Sequence, residues 1–505
     1  MSMRITNSII NNNTKRNINA NKVSEDKANT IVATGQKISR PSEDPVVAIR
    51  ALRLNSNIAQ SNQYYGKNIP DAEAWLKITE TALLQTDSTL TSIMESLTAG
   101  ASDDNTAEDR KNILKDLQAM RDQIYSAGNA DYADRTVFTG YRTGEKLTFT
   151  DAEKNKYTIK EEFDADSISK ITHISGDFDV DETGGNLGTH IAEQSIVDNE
   201  VYRMRLAYDH VDYPQTIDFK YSQDGGSTFK NVTVTYCETA DDAAYDADSL
   251  SGDQAILIAS TGELILSADL RDSLQDPKTT NISVEYEKTE WQKNDLRPEH
   301  YFQCTDKDGI DYNKYDKDGK ALDHFENQSI SYEISFSQTI DINTHADSVY
   351  THDICRDVDE LIAATQAVID ADDKLDKLKN MAKNTDRYND AQIEEINSRI
   401  DAMQKQRDLL ADKMQQMFSE GLTTFSGYSK KTNLAITEVG STRKRLELTK
   451  ERVNEQLGSF KELADANINV NLTDAAIDLS NAQLALEAAQ LAAGKVSKQT
   501  LLNYI

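Results

Sequence analysis

The sequence predicts a protein that is mainly α at both ends, with long coiled-coil helices from the N- and C-terminal segments packed together and a β-rich insertion between them. Three observations predict it. Apolar residues recur every seven positions near each end, no proline follows Pro298, and the middle alternates polar with apolar residues. The expected organisation is an N-terminal assembly helix over residues 1–40, a helical rod part over 41–140, an outer β-rich insertion over 141–350, a helical hairpin arm over 351–420, a second rod part over 421–470 and a C-terminal assembly helix over 471–505.

In the first rod part, Leu76, Leu83, Leu90 and Leu97 form a heptad spine with Ile93 at an intervening position. Ile113, Leu117, Met120 and Ile124 resume the helical period after the polar break at 102–109, so the two segments read as a helical hairpin. Near the other end, Val439, Leu446, Val453 and Phe460 repeat the heptad, with Leu457 beside them. The two spines are expected to pair within one chain, bringing Leu83 and Val453 onto connected helices.

Between them, Ile393, Ile396, Ile400, Met403, Arg407, Leu410, Met414 and Met417 follow three-four spacing. Val358, Leu361, Thr365, Val368, Asp372 and Leu375 supply a second helix, and residues 383–390 supply the turn. The imperfect stripes suggest a projecting arm. In the insertion, residues 216–221 and 228–236 flank Asp224-Gly225-Gly226 as a hairpin. Further strands are expected at 255–260, 263–267, 282–287 and 330–336. The acidic clusters Asp177, Asp179, Asp181, Glu182 and Asp241, Asp242, Asp246, Asp248 read as solvated loops.

The ends look unfinished. From Met3 to Ile38 the apolar residues are only Met3, Ile5, Ile9, Ile10, Ile18, Val23, Ile31, Val32 and Ile38, too few to offset the backbone entropy of ordering the segment alone. The last segment has the opposite character. Leu472, Leu479 and Leu486 lie on one helical stripe, while Ile477, Leu484 and Leu491 lie on another. Two apolar stripes need two neighbours, and Ala475, Ala482, Ala489 and Ala493 between them permit close helix approach.

A formal charge of -30 argues against nucleic acid or an anionic membrane surface as partner, and it requires any homopolymer to carry its acids outside. No run of eighteen apolar residues occurs, and the start has no apolar run of signal-peptide length, so neither membrane insertion nor the general secretion route is expected. Cys237, Cys304 and Cys355 are widely spaced and odd in number, which suits unpaired structural thiols. No HExxH, phosphate loop, GxSxG or CxxC motif is present. His345 and His352 share a helical spacing without further ligands. The run at 306–319 fails the calcium-loop pattern, because aligning Gly319 or Gly309 puts Lys314 or Cys304 at the first ligand position. These absences predict a non-enzyme without cofactor or metal.

Residues 3–12 (MRITNSIINN), 33–54 (ATGQKISRPSEDPVVAIRALRL) and 72–83 (AEAWLKITETAL) resemble the flagellin superfamily, in particular its hook-associated branch. Residues 433–456 and 492–505 resemble the C-terminal part of that branch, and residues 295–302 resemble its longer members. The motif residues Arg40, Pro41, Ser42, Asp44 and Pro45 separate this branch from filament flagellin, which has a proline-poor stretch there. Family sequences begin at the position of Met3, so Met1 and Ser2 read as an upstream start or an added remnant.

The resemblance implies a flagellin-like fold whose insertion faces outward, and a structural subunit exported through the flagellar type III apparatus to the cell exterior, with an export chaperone. It further implies a ring of copies at the hook-filament junction, between a hook-side junction protein and flagellin. Termini disordered in the monomer are expected to form an inner coiled-coil layer on assembly, through Ile5, Ile9, Ile10, Leu472, Ile477, Leu479, Leu484, Leu486 and Leu491. The alternatives are a filament flagellin, or an adhesin or enzyme carried on a structural rod.

Overall fold

The computed structural model describes residues 7–102, 105–181, 190–312 and 329–498. Along the chain the helices are α1 (Asn7–Thr34), α2 (Pro45–Gln63), α3 (Ile69–Gly100), α4 (Ala107–Gly128), α5 (Ala268–Leu274), α6 (Ala346–Val349), α7 (His352–Ala382), α8 (Asp390–Ile468) and α9 (Leu472–Lys498). Strands fill the middle: β1 (Asp131–Tyr132), β2 (Arg135–Thr136), β3 (Glu153–Phe163), β4 (Ile168–Ser175), β5 (Val197–Arg205), β6 (Asp218–Ser222), β7 (Lys230–Asn231), β8 (Thr233–Cys237), β9 (Gln254–Ile258), β10 (Glu263–Leu266), β11 (Thr280–Trp291), β12 (Gln303–Asp306), β13 (Asp311–Tyr312), β14 (Ser331–Ser335) and β15 (Gln338–Asp341). The helical ends and β-rich centre agree with the fold class read from the sequence. The described residues divide between two compact units, one within 1–72, 332–340 and 444–505, the other within 73–331 and 341–443.

In the first unit, α1 and α9 run antiparallel. Lys37 N donates to Ile468 O at 2.7 Å, Val470 N donates to Gly35 O at 3.0 Å, and farther along Asn21 Nδ2 donates to Ala485 O at 3.0 Å. Gly35 permits the turn out of α1 with φ +69°, a conformation that side chains disfavour. Helix α2 begins where Asp44 accepts from Val46 N and Val47 N at 3.0 and 3.2 Å, with Pro45 in the first turn, where its missing N–H costs nothing. Its small residues Ala48, Ala51 and Ser61 are buried, and Asn467 Nδ2 of α8 donates to Val47 O at 3.0 Å. A π-helical turn, Tyr64–Asn68, joins α2 to α3. There Tyr64 meets Phe336 edge-on at 5.7 Å, and Phe336 in turn meets Phe460 of α8 at 6.0 Å. The β14–β15 hairpin is thereby fastened to the helices, and its Tyr332 hydroxyl donates to Asp71.

In the second unit, α3 runs antiparallel to α8. Arg443 pairs with Glu80, Ser429 Oγ and Asn433 Nδ2 donate to Asp87 Oδ1 at 2.8 and 2.9 Å, and Gly100 leaves room for the Phe418 ring. A Cβ at Gly100 would come within 2.1 Å of that ring. The expected hairpin of the segments around 76–97 and 113–124 is present as two helices, but α4 is tied to α7 by Arg110–Asp372 at 3.1 Å and by Arg121–Asp359.

The insertion holds two sheets, in the orders β13-β12-β3-β11-β6-β7 and β4-β5-β10-β9-β8. The expected hairpin around Asp224 is realised only by β6 and β7; beyond Val232 the chain leaves for the other sheet, where β8 pairs parallel with β9. Both sheets rest on buried aromatic and aliphatic side chains. Trp291 stacks on Phe149 at 4.8 Å and takes Tyr157 and Tyr208 edge-on at 5.4 and 5.1 Å.

The helical arm is not bare. Phe178 and Val180 pack on the cluster of Leu375, Leu378, Met381, Ile396 and Met403, while Ile191 and Leu410 flank the cluster around Ile196. One acid of the run there is tied to the arm: Asp177 accepts from Lys374 Nζ at 2.8 Å and from Gln406 Nε2 at 3.0 Å. Those donors outweigh burial and hold its carboxyl below the usual range. Asp242 of the second acidic cluster likewise accepts from Gly176 N at 2.8 Å and contacts His173 Nε2 at 2.9 Å. The described acids of both clusters are exposed, as expected of solvated loops, and Asp177 and Asp242 in addition tie their loops to neighbouring elements. Glu182 lies outside the described residues.

Two predictions follow from the insertion. Gly262 has φ +67°, and a Cβ there would lie 2.0 Å from Tyr208 O, so Gly262→Ala lowers stability by at least about 2 kcal/mol in urea unfolding followed by tryptophan fluorescence. Glu161 is fully buried on β3, accepting from Ala207 N at 3.0 Å and from the Tyr286 hydroxyl, and burial raises its pKa to about 7 from 4.5. The folded state therefore holds a proton that the unfolded chain releases, and this group's contribution to stability falls as pH rises from 4.5 through 7. Replacing it by glutamine keeps an acceptor and removes the charge. The stability difference between Glu161→Gln and wild type should grow by roughly 3 kcal/mol between pH 4 and pH 8, read from paired denaturation curves.

Candidate assembly interface

Helix α9 carries two apolar stripes, and among the described residues only one is packed within the chain. Ala475, Leu479, Ala482, Leu486, Ala489 and Ala493 are the half-buried or buried positions, at alternating spacings of four and three that place them on one face. That face lies along α1, whose own less exposed positions include Ile10, Thr14, Ile18, Asn21, Glu25 and Ala28. Small side chains on α9 let the two backbones approach. The second stripe, Ile477, Leu484 and Leu491, stays in solvent, with Leu484 61% and Leu491 70% exposed against 8% for Leu486. Ile9 of α1 is also exposed.

One residue departs from its expected stripe. Leu472 was expected beside Leu479 and Leu486, yet it is exposed. It is the first residue of α9, where the chain is still leaving the bridge between Gln36 and Asn469, and Ala475 one turn later is the first side chain to enter the seam. Ile5 lies outside the described residues, as do residues 499–505.

The heptad spines are buried. Leu76, Leu83, Leu90, Leu97, Val439, Leu446 and Val453 are all in the core, and Phe460 is half-buried beneath Phe336. The register differs from the simple matching of the two leucine series. Within the second unit, the part of α3 from Glu80 to Gly100 lies against Phe418 to Arg443 of α8, so much of the partner surface is N-terminal to the expected 439–460 spine. Heptads repeat, so several registers match equally well in apolar pattern. The polar pairs Glu80–Arg443 and Asp87–Asn433, with the glycine at 100, select one.

The motif Arg40, Pro41, Ser42, Asp44, Pro45 proves to be a helix start. Glu43 accepts from Ser39 N and Ser39 Oγ at 2.9 and 3.0 Å, bonds that draw its carboxyl below the usual range, and Asp44 caps α2. Arg40, Pro41 and Ser42 are exposed in the turn before it.

An ion network unseen in the sequence joins the insertion to the helices inside the second unit. Arg203 of β5 pairs with Glu263 of β10 and with Glu360 of α7, the latter at 2.8 Å. Arg205 reaches Asp357 at 2.6 Å and Glu360 at 2.9 Å, and the Tyr428 hydroxyl donates to Asp357 at 2.7 Å. Although burial opposes it, the two guanidiniums hold Glu360 down at about 2. A cleft of about 520 Å³ lies over this network, walled in part by Ala363, Ala364 and Ala367. Its carboxylates Glu263, Glu360, Asp357 and Asp209 are held by Arg203, Arg205 and Arg356, so their role is to join elements. The polar turn at Asp306 is similarly self-contained, accepting from Asp308 N and Ile310 N at 2.9 Å each; residues 313–319 lie outside the described residues. Among the described residues no helix is long and apolar enough to cross a membrane.

Comparison with known proteins gives these surfaces a context. Residues 5–143 match the bacterial flagellin N-terminal helical region. Flagellar hook-associated protein 3 of Escherichia coli strain K12 is 30% identical over 150 residues, covering 28% of this chain and 46% of that protein. The protein of the same name from Salmonella typhimurium is 29% identical over 113 residues, covering 22% and 35%. The matches thus span less than half the length of these curated relatives. Among solved structures, a Vibrio parahaemolyticus protein assigned to the flagellar hook-associated proteins aligns over 85% of this chain and 100% of its own, at 12% identity and TM-score 0.35. The flagellar junction protein of Legionella pneumophila aligns over 84% and 100%, at 9% identity and TM-score 0.26. Residues 5–143 of this chain are therefore similar to the bacterial flagellin N-terminal helical region, and part of the chain is similar to flagellar hook-associated protein 3.

Proposed function

We propose that the chain is a non-catalytic structural subunit of the bacterial flagellum, which forms the junction ring between hook and filament. The observation that carries this reading is the exposed stripe Ile477, Leu484, Leu491 beside a stripe already used by α1, in a chain whose start is similar to the flagellin N-terminal helical region and part of which is similar to flagellar hook-associated protein 3. An exposed apolar line on one helix of a packed pair is what a neighbouring copy needs for docking. The partners in this reading are other copies of the chain, a hook-side junction protein on one side and flagellin on the other. The subunit leaves the cell through the flagellar export apparatus, with an export chaperone, and works outside it. The named relatives favour the junction role over that of a filament flagellin.

Two experiments test the reading. Deleting the gene should leave hooks intact while flagellin is shed into the medium; normal filaments on the deletion strain would refute the junction role. Within the chain, the two stripes should separate. Leu486→Ala removes a buried side chain from the α1–α9 seam and costs about 1–3 kcal/mol, seen as faster hydrogen exchange in both helices. Leu484→Ala should leave that exchange unchanged and lower the amount of protein recovered on isolated hooks by about fivefold or more.

A further inference from the structure

Strand β4 is an open edge. It stands first in the order β4-β5-β10-β9-β8, and along Ile168–Ser175 it pairs with β5. In an antiparallel pair only alternate residues exchange main-chain bonds, so every second residue of β4 turns its N–H and C=O away from β5. Among the described residues no backbone hydrogen bond joins β4 to any strand but β5. An edge of eight residues left in this way is a template for one more strand.

The cleft of about 520 Å³ beside the Arg203–Glu360 network runs along this edge. Ser169, Lys170, Ile171, Thr172 and His173 all line it. Neighbouring side chains of a strand point to opposite faces, so a cavity that touches five in succession opens on the side of the strand rather than on one face. Across it stand Leu410, Lys413 and Met417 of α8, at spacings of three and four that place them on one side of the helix, with Ala363, Ala364 and Ala367 of α7. At one end β4 and α8 come together, where Ile174 packs with Ala402.

The other charges around the cleft are matched. Asp209, Glu263, Asp357, Asp359 and Glu360 are each paired with an arginine. Lys170 meets Glu200 at 2.6 Å, and Glu420 accepts from Gln416 Nε2 at 2.9 Å. Lys413 is the exception. It is half-buried, burial lowers its pKa, and among the described residues it makes no ion pair or hydrogen bond. Three N–H donors held out of water without an acceptor require an oxygen from whatever fills the cleft.

We infer that the cleft is a docking groove for an extended peptide of a partner protein, which adds a strand to β4 and gives Lys413 an acceptor oxygen. Apolar side chains at every second position of the peptide lie toward Leu410, Met417 and Ala364. A single strand is the occupant because α8 stands across the cleft from β4, which leaves no room for the edge of a second folded sheet. The site belongs to the insertion and the helices that carry it, and it is independent of the α9 stripe and of the junction reading.

The test uses the purified full chain and nine-residue peptides with blocked ends, in which valine alternates with threonine, asparagine, aspartate or lysine. At least one of these probes should bind with a Kd of about 100 μM or tighter by fluorescence anisotropy. N-methylating alternate nitrogens of that probe separates strand addition from apolar adsorption without altering the chain: one alternate set should abolish binding and the other should leave it within about twofold, since an added strand uses only one of its edges. Lys413→Met keeps the apolar stem and removes the donors, and it should weaken binding about tenfold without lowering the melting temperature. Failure of every probe, equal binding of the two methylated sets, or full binding by Lys413→Met overturns the groove. Dimerisation of the chain that Lys413→Met abolishes and that no probe competes would give the groove to a second copy, and it too overturns the proposal.

Discussion

The constraint on which the helical part depends is that the chain must come back along itself. Helix α9 returns antiparallel to α1, α8 closes on α2 through Asn467 and Val47, and α8 again lies antiparallel to α3 from Arg443 to Phe418. Helix α1, with few apolar residues among many asparagines, supplies too little apolar surface to stand alone. Stability of the ends is thus a property of pairs. A pair formed from segments more than four hundred residues apart forms only once both have been made.

Return of the chain also explains the insertion's position and its charges. A β-rich segment that begins after α4 and ends before α7 needs a rigid connection to the helices, and apolar contact alone does not set its orientation. Arg203 and Arg205 supply direction: both project from β5 to α7, where Glu360 accepts from each of them. Buried ion pairs cost desolvation and are weak sources of stability. Their geometric demand is strict, and here it fixes which turn of α7 faces β5. Lys288 plays a related part inside the six-stranded sheet, fully buried, donating to Asp209 O with Asp295 at 3.7 Å, while Arg356 of α7 holds Asp209 at 3.1 Å.

Much of the helical pattern was readable in the sequence because it is local. Seven-residue spacing marked Leu76 to Leu97 and Val439 to Val453 as core, and alanines at 475, 482, 489 and 493 marked a close seam. Register was not readable, because a heptad looks the same after a shift of seven and the pairs that choose, such as Asp87 with Asn433, are hundreds of residues apart. Strands β3, β4 and β5 escaped notice for a different reason. Their sequences are dense in charge, and the residues facing outward in β3 are lysines and glutamates that pair across to β11, as Lys156 does with Glu287 at 2.8 Å. The motif at 40–45 was recognisable as a family mark without revealing its work, which is to start α2 with a carboxylate cap and a proline.

That last feature links local chemistry to what each helix leaves exposed. A helix begun by Asp44 and Pro45 has a fixed first residue, and so fixed azimuths for all that follow. Starting one residue later would rotate the side chains of α2 by about 100°. With Ala48 and Ala51 held in the core by α8, the cap determines that Ile49 and Arg53 point away from it. The same holds for α9, where Asn471 accepts from Thr473 N at 3.0 Å and sets the start of a helix whose inner seam and outer stripe differ only by azimuth. Helix starts therefore act at a distance, although the capping residues are themselves outside the seam: they decide which side chains enter the core and which remain exposed.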